Sequence, residues 1–123
     1  MVLRNEPLLD DGTPMPTRYW LVGDHDRLVV SRLESAQGVV RAEAAVDADQ
    51  LEACHVAYAL ERDAVIPEGH VGPRPSGGVG GTRQGVKCLH AHYAHHLAGG
   101  SDPVGQWVAA QLSEVEAGQS DDG

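Results

Sequence analysis

The chain has 123 residues, with 18 acidic against 9 basic side chains and a formal charge of −9. That length fits one domain, and that charge speaks against nucleic acid or an anionic membrane as partner, because no basic patch exists to release counterions. Leucine, isoleucine, valine and phenylalanine make only 27 residues, with phenylalanine absent, so the core is expected to be thin and a metal ion, a protein partner or a homodimer contact would stabilise it.

Two cysteines, Cys54 and Cys88, do not make a disulfide framework. No stretch has the length and apolarity of a signal peptide or a membrane span. The expectation is a cytoplasmic protein with reduced thiols, organised as a tail at 1–6, one domain over 7–115 and an acidic disordered tail over 116–123. The fold class expected is α+β, mostly α, with one short N-terminal strand, three to four helices and a long Gly/Pro-rich loop at 67–85.

In chain order, residues 10–16 are turn-forming, with Pro14 and Pro16 holding the backbone extended. "TRYWLV", 17–22, predicts a strand rich in aromatic and β-branched types. Asp24 can cap a helix over 25–37 that turns Leu28, Val29 and Leu33 inward and stops at Gly38. "VVRAEAAV" suits strand or helix equally. Asp47 or Asp49 caps the next helix, running to Val65 before Pro67, with Leu51, Cys54, Tyr58 and Val65 on one face and Val56 and Leu60 on a second. Apolar on two sides, it is expected to be sandwiched.

The 67–85 stretch holds no periodicity and predicts a mobile loop. Its glycines followed by Lys87 invite comparison with a phosphate-cradling loop, but the spacing misses GxxxxGK[ST] and no strand precedes it. A third helix is predicted over 85–98, ended by Gly99 and Gly100. Ser101 or Asp102 then caps a fourth with Pro103 at its first position, and Val104, Trp107, Val108, Leu112 and Val115 follow helical spacing.

The chemistry is concentrated in "KCLHAHYAHH", 87–96. Projected as a helix, Val86, Leu89, Tyr93 and Leu97 form a core stripe, and Cys88, His92, His95 and His96 gather on another face. Cys88 and His92, four apart, lie about 6 Å along the axis and can share an ion, as can His92 and His96. Zinc or another transition metal would need further donors, from His55, Cys54, His70 or Glu34. The plainer reading is a solvated histidine stripe with the thiol buried without function. A small enzyme using Lys87, Cys88 and His95 is a third reading, for which no oxyanion donor or orienting acid can be identified.

"DGTPMPTRYWL" (11–21), "SRLE" (31–34) and "GVKCLHAHYAHHLAGGSDPVG" (85–105) together resemble the bacterial family catalogued as domain of unknown function 501. The resemblance runs over about residues 8–112 and implies a small cytoplasmic protein without a known activity. The family pattern corresponds here to Lys87, Cys88, Leu89, His90 and His95, then Asp102, Pro103, Val104 and Gly105. Thr13, Pro14 and Pro16 belong to its N-terminal segment. Members more often carry asparagine before that proline, cysteines near the N-terminus and after the strand, and an apolar residue at position 92. The resemblance thus leaves His92 outside the shared pattern. His90 is read as a structural residue bonding a backbone carbonyl under the proline-rich segment. A role exerted through binding is expected over catalysis.

Overall fold

The computed structural model describes residues 2–8, 13–15, 17–70, 72, 74–79, 82 and 85–121, with the backbone alone for 115–121. Its frame is a two-stranded antiparallel sheet of β1, Val2–Arg4, and β2, Tyr19–Leu21, with Leu3 opposite Trp20. Alternation along β2 buries Tyr19 and Leu21 and turns Trp20 outward. β1 lies within the six residues expected to be a tail. Three residues carry too little periodicity to announce a strand, and only pairing with a partner 17 or so positions away creates it. Pro14 forms a bridge with Leu8; residues 9–12 and Pro16 lie outside the described residues.

Five helices follow among the described residues: α1 Asp24–Ser35, α2 Gly38–Ala45, α3 Ala48–Asp63, α4 Leu89–Leu97 and α5 Pro103–Asp121. The mostly helical α+β class expected from the sequence is what the chain adopts. Gly23, at φ 104°, is the residue that precedes α1, so Asp24 sits inside its first turn, where a carboxylate favours the exposed N–H groups. Gln37 takes the left-handed turn and Gly38 opens α2, settling the ambiguous segment as helix. Asp47 caps α3 through a 2.9 Å bond from Gln50 N–H.

α3 is not sandwiched. Leu51, Cys54 and Tyr58 are buried, whereas Val56 and Leu60 are 55% and 67% exposed. Alanines on that second face allowed either outcome, and no element covers it among the described residues. α1 likewise buries Val30, leaving Leu28 exposed and Val29 and Leu33 half-buried. At the chain's centre α4 packs on α5 and on β2. Leu89, Ala91 and Ala94 of α4 meet Val104 and Val108 of α5, with Trp107 and Leu112 at the margin. α5 continues to Asp121, over the stretch read as an acidic tail.

Among the described residues, Arg62 and His55 of α3 tie down the long connection to α4. Arg62, buried, donates to the Gly77 carbonyl at 2.9 Å. His55, also buried, accepts from Val79 N–H at Nδ1, 3.1 Å, and donates from Nε2 to the Gly85 carbonyl, 2.8 Å. Val79 and Val86 enter the core as a result.

Candidate functional site

α4 begins at Leu89, four residues later than the spacing predicts, because Cys88 is its N-cap with an extended backbone of φ −152° and ψ 157°. Cys88 therefore falls out of helical register with His92. Within α4 the buried face is Leu89, Ala91, His92, Ala94 and His95, while Leu97 is 44% exposed. The expected division, leucines inward and imidazoles outward, is corrected: His92 is fully buried and His95 is nearly so. Imidazole tolerates burial when its N–H groups find acceptors, and here the acceptor is Asp102.

Asp102 caps α5, accepting from Gly105 N–H at 2.9 Å. The short turn through Gly99 and Gly100 folds this cap back over the last turns of α4. His92 Nδ1 lies 2.9 and 2.8 Å from the two Asp102 oxygens, and His95 Nδ1 lies 3.0 Å from one of them. An ionised carboxylate only accepts, so both Nδ1 atoms carry the proton and each Nε2 is left for another partner. His92 Nε2 is buried with no hydrogen-bond partner. Cys54, from α3, places its Sγ 3.9 Å from His95 Nδ1. Donor atoms of Cys54, His92 and Asp102, all three buried, lie within 4.8 Å of one another.

The surroundings are aromatic. Tyr58 meets the His95 ring edge-on at 4.9 Å and Tyr19 stacks on it at 5.9 Å. A methyl group on Gly100 would come within 2.1 Å of His95 Nε2, so the ring is wedged against that backbone. His55 meets the His92 ring edge-on at 5.6 Å. Burial opposes the ionisation of Asp102, but the bonds from His92, His95 and Gly105 outweigh it and hold the carboxyl well below the usual carboxylate range. Burial pushes the Cys54 thiol far up, and the Asp102 carboxylate pushes it further. Burial lowers the His55 imidazole, partly offset by its bond to the Gly85 carbonyl. Burial raises the Tyr58 hydroxyl to about 12.

A second constellation lies on the outside, where β2, α1 and the start of α4 meet around a groove of about 660 Å³. Lys87, Cys88 and His90 line it with Trp20, Arg27 and Ser31. Among the described residues His90 bonds side chains of α1 and no carbonyl of the proline-rich segment; its Nδ1 is 2.6 Å from Glu34 Oε1 and its Nε2 is 3.3 Å from Ser31 Oγ. Glu34 also accepts from Leu89 N–H at 3.0 Å, pinning the start of α4 to α1.

A family model described as "Protein of unknown function (DUF501)" matches residues 1–110. The chain belongs to this family. No curated protein and no solved structure matches it. In this DUF501 chain the motif that carried the resemblance is shared between two places. Lys87, Cys88 and His90 face the groove, and His95 faces the core with Asp102. The proposed metal set of Cys88, His92, His95 and His96 is divided in the same way, since His92 and His95 converge on Asp102, Cys88 lies in the groove, and half-buried His96 stacks on Tyr93 at 6.3 Å. Lys87, Cys88 and His95, the catalytic candidates, do not share one surface. Cys54 was legible as a core-face residue and a supplementary donor, and Asp102 as a cap and a residue of the family pattern; the signal for Asp102 meeting the α4 imidazoles is the shortness of the turn from 98 to 102, which forces a cap carboxylate against the preceding helix. Among the described residues, no helix is long and apolar enough to cross a membrane.

Proposed function

We propose that this protein binds a transition metal ion of the zinc type between α3, α4 and the start of α5, and that its cytoplasmic role is exerted through binding and not through chemistry. The observation that carries this reading is the convergence of Cys54, His92 and Asp102, three buried donors from three elements within 4.8 Å. Thiolate, imidazole and carboxylate are the donor types that zinc takes, and His95, 3.9 Å from the thiol and 3.0 Å from the carboxylate, adjoins these three without belonging to the mutually close set. A divalent cation also balances the negative charge that a buried thiolate and carboxylate would place together. The three donors are at most 4% exposed, which suits a structural ion, and Cys54 and Asp102 also line a cavity of about 440 Å³ with Ser101 and Gln106. The hydrogen bonds now joining these groups are those of the protonated set, which metal binding would replace by releasing protons.

Protein purified without an affinity tag should carry about one equivalent of metal, or take it up from zinc solution with a rise in unfolding midpoint. Cobalt in its place should give a sulfur-to-metal charge-transfer absorbance that disappears in Cys54→Ala but persists in Cys88→Ala. Less than about a tenth of an equivalent, with no stabilisation by added zinc, would leave the same residues as a hydrogen-bonded knot and end the metal reading.

A further inference from the structure

The outer groove has a composition opposite to that of the chain. Acidic residues outnumber basic ones by 18 to 9, yet the described residues that line this groove include Arg27 and Lys87 and no aspartate or glutamate. Two carboxylates bonded to residues that line it are already engaged, Glu34 with Leu89 N–H and His90 Nδ1 and Glu61 with the Tyr19 hydroxyl. Arg27 and Lys87 are both exposed, and neither makes an ion pair among the described residues. Beside them Trp20 stands 45% exposed, its outward direction fixed by the alternation along β2. A solvent-facing indole next to two unspent cations is an arrangement that gains free energy only when something covers it.

We propose that this groove binds a small phosphate monoester carried on a planar ring, of the nucleoside monophosphate class. Two cations on one cavity suit a phosphate monoester, whose charge is about −1.5 to −2 at neutral pH, better than a single carboxylate. The ring would stack on Trp20, as nucleobases do on exposed indoles. The Ser31 hydroxyl, free to rotate between His90 Nε2 and a phosphate oxygen, supplies a neutral donor. About 660 Å³ accommodates a ligand of that size. A polymeric nucleic acid is disfavoured by the charge of −9 over the whole chain. This site is independent of the buried donors and stands whether or not they hold a metal.

The test is calorimetric titration of the full chain with the common 5′-nucleoside monophosphates, inorganic phosphate and adenosine, with tryptophan emission followed in parallel. At least one monophosphate should bind saturably in the submillimolar range and quench emission. Inorganic phosphate and adenosine should each bind at least about tenfold more weakly, lacking one half of the recognition. Lys87→Ala and Arg27→Ala, both at exposed positions, should each weaken binding about fivefold or more with an unchanged circular dichroism spectrum. Trp20→Ala should remove the preference for the monophosphate over inorganic phosphate. Absence of saturable binding by every monophosphate at about 10 mM, or affinity unchanged in both cation variants, overturns the proposal.

Discussion

In chelator-treated protein, Asp102→Ala should lower the unfolding free energy by about 3–5 kcal/mol, as measured by urea denaturation at neutral pH. The carboxylate is fully buried and accepts from His92, His95 and Gly105. Alanine would strand two imidazole N–H groups and one helix-terminal N–H in the interior, and remove the cap of α5. Against a total stability of about 5–15 kcal/mol for a domain of ordinary kind, that places the variant near unfolding at ambient temperature. Asp102→Asn keeps one carbonyl acceptor and should cost less, about 1–3 kcal/mol. The acid limb gives a second readout. The folded-state pKa of Asp102 lies below its ordinary value of 3.8. Its contribution is therefore complete above that ordinary value and is lost as pH falls through the folded value. Wild-type stability should drop on that limb more steeply than Asp102→Asn. A loss below about 1 kcal/mol for the alanine variant would show that the imidazoles find other acceptors when the carboxylate goes.

The parts of this structure that local chemistry determines were legible in the sequence. Pro103 at the first turn of α5, Asp47 at the cap of α3 and the aromatic run of β2 each reflect a preference acting within a few residues. What escaped depends on partners distant in sequence. β1 exists only through its pairing with β2. The start of α4 is set by Glu34, 55 positions away, which takes Leu89 N–H and leaves Cys88 extended before it. That one displacement removes Cys88 from the helical face on which a ligand set with His92 had been projected. The direction of the imidazoles escaped for a different reason. A helical projection sorts residues by polarity and sends histidine outward, yet Asp102 satisfies two imidazoles at once and makes the same face suitable for the core. The family resemblance identified the segment that matters, and only the fold could show that Lys87 and Cys88 serve one side of it while His95 serves the other.

Gly105→Ala should destabilise the protein by about 2–3 kcal/mol, although the same change in an unhindered helix stabilises by up to about 1 kcal/mol. The expected sign comes from the approach of α5 to α4. A methyl group at position 105 would lie 2.4 Å from the His96 Cβ and 2.6 Å from the His92 carbonyl oxygen. Neither atom is the flexible end of a side chain; one is a β-carbon fixed to α4 and the other is its backbone. Relief therefore requires the first turn of α5 to move as a body, and Asp102 moves with it because Gly105 N–H is bonded to its carboxylate. The two imidazole bonds, at 2.8 and 3.0 Å, have no slack to follow such a shift. The cost should accordingly couple to the buried site: in a double-mutant cycle, Gly105→Ala and Asp102→Asn should fall short of additivity by about 0.5 kcal/mol or more, since each already loosens what the other disturbs. A stabilising Gly105→Ala would mean that the two helices are not held this close in solution, and that the carboxylate is positioned by its imidazole partners without help from the helix contact.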